Sequence, residues 1–412
     1  MSTGAPSPLF DNLDYLADPF RESARQVGAH LPEKNQNDFY FSLRYLKSYQ
    51  GSSATFNSYR REVERLLQWA WTIEALSLSD LRREHIERYI EFVMRPPVCW
   101  IGSKNVSRFV NSKGVRVPNP DWRPFVTPKN KALGVSQTAE TYTPSQKALQ
   151  SCFAILSSFF NFLIQEEYLS SNPVALVRQK SRFIQRTQHQ SPVRRISNYQ
   201  WDEVIRVAVD WAENDPDQHE RTLFILNCLL GMYLRISELV ADERSTPVMG
   251  DFRVDQDRNW WFHVVGKGNK SRIVTVSNSM LESLKRYRRH LGLPELPLPG
   301  EQSPLVRKIH GNGPVTSTRQ IRNIVQQCFD QAYENLASQG QSTEASELKA
   351  ATVHWLRHTG ISEDVKFRPR EHVKEDAGHS SMATTDRYID SELRERHASA
   401  VNKKVIRDAH DG

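Results

Sequence analysis

The segment HWLRHTG sets His354 and Arg357 three residues apart, which on a helix puts an imidazole and a guanidinium on one face. Together they suit a single phosphate group, as a bidentate fork beside a side chain that titrates near neutrality. The same spacing also arises as a solvated or capping pair. Upstream, GMYLRISELV places Arg235 at the end of an otherwise apolar helix, where a guanidinium is costly unless it is paired or faces a ligand. Glu238, one turn on, is a structural partner for it, and the same planar fork fits phosphate oxygens. In VVGKGNKSRIV, Lys267 stands between two glycines that permit a tight reversal, so an ammonium sits at the tip of two strands. A lysine there is either an offered proton donor or surface decoration. Near the C-terminus AGHSSMATTDRYID holds His379 and Tyr388, with Gly378, Ser380 and Ser381 marking a helix boundary between them. A lone tyrosine is more often core than nucleophile.

These residues need elements to hold them, and the apolar spacing supplies a mainly α chain with a small antiparallel β-sheet. From Asp38, FYFSLRYLKSYQ reads as a short helix; TFNSYRREVERLLQWAW and LRREHIERYIEFVM come next as amphipathic helices, the last closing before Pro96 and Pro97. Residues 96–142 are rich in Pro, Gly, Ser and Asn and read as a long insertion or loop. SQKALQSCFAILSSFFNFLIQEEYL then restores a helix, so residues 38–177 form a helical N-terminal domain behind an extension, 1–37, expected to be an arm or loosely packed. Residues 178–196 read as a basic linker carrying Arg178, Lys180, Arg182, Arg186, Arg194 and Arg195, and no acid stands between Glu167 and Asp202. Such a run is either a solvated tether or a strip lying along phosphates, where each neutralised charge releases counterions. From residue 197 to 412 two helices, WDEVIRVAVDWA and RTLFILNCLLGMYLRISELV, precede three β-rich stretches, MGDFRV, WWFHVVG and RIVTVS, and helices resume to the end.

A chain of 412 residues accommodates two domains, and a net charge of +7 favours an anionic partner. The four cysteines lie far apart without a CxxC pair, so neither a zinc site nor a disulfide framework is expected, and a reducing cytoplasm fits. No secretory leader is evident at the N-terminus, and no apolar run approaches the length of a membrane span, so no membrane partner is expected.

The ordered set Arg235, Lys267, His354, Arg357, His379 and Tyr388, in these local contexts, resembles the tyrosine recombinase (phage integrase) family over about residues 197–395. The helical unit before it, ending in EEYLSSNPV, looks like that family's core-binding domain, and the segment from residue 197 onward looks like its α+β catalytic domain. The resemblance implies a site-specific recombinase acting on double-stranded DNA without cofactor, metal or ATP. Tyr388 would attack a phosphodiester to form a 3′-phosphotyrosyl link, with Arg235 and Arg357 bracing the phosphate. Lys267 would protonate the leaving 5′-oxygen, His354 would assist proton transfer with the tyrosine, and His379 would hydrogen-bond the phosphate. It also implies a homo-tetramer on two duplexes, with room for accessory proteins. The physical logic stands beside it: two guanidiniums neutralise charge developing on the phosphate oxygens, and a tyrosine of ordinary pKa near 10 needs a proton acceptor.

The chain departs from the compact family pattern in the insertion, in the N-terminal extension and in the charged VKFRPREHVKED segment. The insertion and the extension favour integration, excision or transposition of a mobile element over a chromosome or plasmid dimer resolvase. A type IB topoisomerase shares the nucleophile but acts as a monomer; a relaxase needs a close histidine cluster, which is not seen. A catalytically silent DNA-binding protein of the same fold is the alternative of a different class.

Overall fold

The computed structural model describes residues 4–17, 27–28, 30–49, 53–127, 142–179, 195–266, 270–386 and 400–401. The chain divides into two compact units, Met1–His189 and Gln190–Gly412.

The first unit is built on helices Glu33–Lys47, Ser53–Thr72, Arg83–Met94, Gln146–Gln165 and Pro173–Gln179. Their apolar stripes bury Leu46, Leu66, Trp69, Ile90, Phe153 and Phe160 in one core. Fully burying such a side chain contributes roughly 1.5–3 kcal/mol each. The helix Gln146–Gln165 is long and apolar enough, by length and composition, to cross a membrane, contrary to the sequence expectation. Its apolar side chains, Phe153, Leu156, Phe159 and Leu163 among them, are spent instead on this core.

Two other expectations for this unit change. The first helix begins at Glu33 rather than Asp38, because Pro32 at its N-cap ends the preceding extended segment. The stretch before it is docked rather than loose: Phe10 is buried and stacks on Phe39 at 5.1 Å, and Leu13–Ala17 forms a short helix. The buried Glu64 carboxylate accepts the Leu9 and Phe10 N–H groups at 2.7 and 3.2 Å and pairs with Arg108 at 3.0 Å. A buried carboxylate is tolerable only with such donors, so Glu64 ties the chain start to the insertion. The insertion itself is partly β. Ile101–Gly102 pairs parallel with Phe125–Val126, and Phe109–Ser112 pairs antiparallel with Val115–Pro118. Trp100, Phe109, Trp122 and Phe125 are buried in it, which a loop read from Pro and Gly content would not provide.

The second unit opens with Ser197, whose hydroxyl accepts the Gln200 N–H in a capping box that starts helix Asn198–Asn214. Asp215 caps the next helix, Pro216–Gly231, with proline at its first position. Strands Phe252–Val254, Trp260–Val265 and Ser271–Thr275 form an antiparallel meander in that order, with Phe262 opposite Val274. Phe262, Val264 and Val274 face the core and alternate with partly or fully exposed neighbours, as a sheet covered on one side requires. Helices Asn278–His290, Thr318–Ser338, Ser342–Ala350, Val353–Asp364, Arg370–Ala377 and Met382–Asp386 complete the unit. The fold is therefore mainly α with small β-sheets, and the second unit is α+β.

Candidate active site

The helix Pro216–Gly231 ends four residues before Arg235, not at it. Tyr233 adopts a left-handed backbone at φ 51°, which turns the chain out of the helix, and Arg235 becomes the N-cap of a short 3-10 turn, Ile236–Glu238. Apolar residues continue through Leu234, which is why periodicity alone runs the helix too far; Tyr233 and Leu234 are buried after the turn as well as before it.

Within this turn Glu238 receives the Arg235 backbone N–H at 2.7 Å and its guanidinium at 3.0 Å. The same carboxylate takes both ends of Arg272, at 2.7 and 2.8 Å. Burial pushes the Glu238 carboxyl up, but the Arg272 hydrogen bonds and charge, followed by the Arg235 N–H and charge, outweigh it and hold the pKa below its usual value. Glu238 thus remains an anion that fixes two guanidiniums.

Arg357 is buried at 3% exposure on helix Val353–Asp364. It donates to the carbonyls of Tyr233 and Ala377, stapling the Arg235 turn to the end of helix Arg370–Ala377. Gly378 closes that helix in the left-handed region at φ 63°, and its carbonyl accepts from Arg235 Nη2 at 3.5 Å. The guanidiniums of Arg235 and Arg357 therefore contact carbonyls of adjacent residues. Their positive ends converge at one turn.

His354 lies one helical turn before Arg357 and keeps a solvent-accessible edge. Partial desolvation, then the positive charges of Arg357 and Arg235, hold its pKa below the usual histidine value. His379 comes directly after Gly378 and shares a hydrogen bond from Nδ1 with the Thr385 hydroxyl at 2.9 Å, which fixes the ring against helix Met382–Asp386. Arg235, His354, Arg357 and His379 thus gather where three helix ends meet, with Glu238 beneath them. Gly266, at the base of the expected Lys267 hairpin, sits so close to Glu238 that a Cβ there would lie 3.2 Å from the carboxylate. Lys267 and Tyr388 lie outside the described residues, as do Lys180, Arg182, Arg186 and Arg194. Arg178 falls in helix Pro173–Gln179, and Arg195 is partly exposed.

Sequence reasoning missed the scaffold under these groups. Arg368 bridges the Tyr233 hydroxyl at 3.0 Å and Asp376 at 2.6 Å, while Asp376 also accepts the Thr275 N–H at 3.1 Å. Arg272 donates from Nε to the Asp376 carbonyl at 2.9 Å. One signal was legible: Arg272 alternates with the buried Val274 and Val276, so a period-2 reading sets an arginine on the core face of a strand.

No family model matches the chain. It is 28% identical over 271 residues to the tyrosine recombinase XerC of Chlorobaculum parvum, spanning 63% of this chain and 71% of that one. A second XerC, from Pediococcus pentosaceus, is 28% identical over 239 residues, 57% of this chain and 67% of the relative. In three dimensions the chain resembles the XerH site-specific recombinase bound to a palindromic difH substrate, with TM-score 0.56 and 14% identity over 96% of this chain and 99% of that one. The chain thus has the fold of a tyrosine recombinase and is similar in sequence to two of them. A lambda integrase dimer bound to a COC′ core site shares the fold at TM-score 0.51 and 13% identity, covering 90% of this chain and 86% of the integrase. Two arginines and two histidines converging on one turn are an arrangement suited to a phosphate.

Proposed function

We propose that this chain is a tyrosine recombinase that cuts and rejoins double-stranded DNA at specific sites through a 3′-phosphotyrosyl intermediate on Tyr388. The observation that carries the reading is the convergence of Arg235 and Arg357 on the carbonyls of Gly378 and Ala377, beside His354 and His379. Two positive forks fixed before substrate arrives can neutralise charge developing on the non-bridging oxygens without reorganising.

The Tyr388 oxygen attacks phosphorus, the bond to the 5′-oxygen breaks, and Lys267 gives that oxygen its proton. His354, kept neutral near pH 7 by its depressed pKa, accepts the tyrosyl proton. His379, oriented by Thr385, donates to a phosphate oxygen. Glu238 positions Arg235. Attack by the 5′-hydroxyl of a partner strand reverses the step, so the phosphotyrosyl bond conserves the energy needed for rejoining. Four protomers on two duplexes form the working assembly, and the basic residues 178–196 follow the phosphate backbone. The biological role we assign is integration, excision or transposition of a mobile element, supported by the additional β elements that the insertion adds to the first unit.

Incubation with nicked duplexes from the ends of the protein's own genetic element, in EDTA, should give a covalent protein–DNA adduct on a denaturing gel. Tyr388→Phe should bind the duplex and give no adduct. An adduct from that variant overturns the nucleophile, and tight binding without any adduct from the native chain favours a silent DNA-binding protein.

A further inference from the structure

A second basic recess lies in the Gln190–Gly412 unit and shares no residue with the site described above. It is a cavity of about 380 Å³, walled by Arg221, Tyr287, His290, Arg307 and Lys308, with Asp217 at its edge. Arg221 stands on helix Pro216–Gly231, ten residues before the helix ends at Gly231. At about 1.5 Å per residue this separates it from that end by roughly 15 Å.

Arg221 is 8% exposed, yet its Nε and Nη1 atoms have no hydrogen-bond partner among the described residues. A buried guanidinium normally faces a carboxylate, a row of carbonyls or a ligand, because desolvation otherwise goes uncompensated. The neighbouring arginines show the rule: Arg286 pairs with Glu220 at 2.8 Å, and the fully buried Arg288 pairs with Glu301 at 2.8 Å. The one acid on the recess, Asp217, is 92% exposed and lies 3.9 Å from His290. Tyr287 is spent on other contacts, stacking on Phe224 at 4.6 Å and accepting the Arg307 N–H at 3.3 Å. Three permanent cations and a histidine thus face one weakly held carboxylate.

We infer that this recess binds the phosphate group of a small phosphorylated molecule, with Arg221 as the buried anchor and Arg307 and Lys308 closing over it. The volume falls within the range of pockets for small ligands, roughly 300–1,000 Å³, and exceeds what one phosphate fills. A guanidinium set back in a recess favours a free ligand over a duplex backbone, whose phosphates meet a protein along its surface.

The test is isothermal titration of the full chain with adenosine 5′-monophosphate, inorganic phosphate and, as the phosphate-free control, adenosine. Both phosphate compounds should bind and adenosine should not. Arg221→Met should weaken binding about tenfold or more, the loss of one charge-assisted contact. Arg307→Ala, a less buried change, should weaken it in the same direction should the first variant fold poorly. Adduct formation on nicked duplexes should persist in both variants, which separates failure of this site from failure of the recombinase reading. Absence of binding by either phosphate compound overturns the inference. So does equal binding by wild type and both variants, or a loss confined to duplex affinity, which would assign the recess to the DNA backbone.

Discussion

Replacing Glu238 with alanine removes the acceptor that holds Arg235 and Arg272 together. The side chain is 2% exposed, and four hydrogen bonds between 2.7 and 3.0 Å end on it. Breaking a buried ion pair from one side costs about 3–5 kcal/mol, because the partner charge is left unpaired. For a domain of this size each kcal/mol moves the midpoint roughly 2–4 °C, so Glu238→Ala should lower the melting temperature of the second unit by roughly 6–20 °C. Glu238→Gln keeps the shape and one acceptor but not the charge, and should fall between wild type and alanine. Adduct yield on nicked duplexes, measured well below the new midpoint, should drop roughly 10²-fold as Arg235 loses its fixed direction.

The pH dependence comes from the direction of the shift. Because the Glu238 carboxyl titrates lower in the folded chain than its unfolded value near about 4.3, its contribution is complete above that value and is lost as pH falls through the folded pKa. The melting gap between wild type and Glu238→Gln should therefore be constant from pH 6 to 8, about neutrality, and narrow below about pH 4. Thermal unfolding followed by circular dichroism reads both. A midpoint within about 2 °C of wild type for Glu238→Ala would refute the reasoning, since no buried pair of this geometry could be that weak.

His354 has a depressed pKa, so cleavage should be above half its maximum at the ordinary histidine value of about 6.5, with the midpoint of its acidic decline below that value. His354→Gln should flatten that acidic limb in single-turnover cleavage, and an unchanged profile would remove His354 from proton transfer. Gly360→Ala drives a Cβ into the Leu230 carbonyl oxygen, so two helices must separate. Chemical denaturation should show a loss of about 3 kcal/mol or more. Gly378→Ala meets the left-handed penalty of about 1–2 kcal/mol and sets a Cβ 2.8 Å from Arg272 Cδ. It should lower adduct yield more than its stability loss alone explains, because Arg272 must move off Glu238.

The elements were legible where one periodicity and one cap agreed. Ser145, Ser197 and Ser277 each accept the N–H three residues on and cap a helix, although the helix after Ser197 begins at Asn198, three residues ahead of the WDEVIR run. Legibility failed where burial was supplied from a distance. Phe10 is buried only because Phe39 and the Glu64 carboxylate meet it, contacts across 29 and 54 residues that no local pattern encodes. Likewise Trp122 is polar-flanked in sequence, yet Arg108 covers its ring at 5.0 Å and it is buried. At the site, residue types were readable because chemistry demands them, whereas Tyr233, Arg272, Arg368 and Asp376 hold those groups by contacts that cross about a hundred residues or more.

That division has a physical cause. Groups that meet a phosphate must be positively charged and close together, so they cannot stabilise one another. Their repulsion has to be absorbed one layer beneath, where Glu238 and Asp376 supply the negative charge and the carbonyls of Tyr233, Ala377 and Gly378 supply the fixed dipoles. The layer beneath must in turn join segments that are remote in sequence, since Arg235 and Arg357 arrive on different elements. Tyr233 meets this need in a left-handed conformation, presenting its carbonyl to Arg357 and its hydroxyl to Asp364 and Arg368. A non-glycine residue held there costs about 1–2 kcal/mol. That cost is small against the loss expected from leaving the buried Arg357 guanidinium uncompensated, so the strained turn persists at the point where the two arginines are brought together.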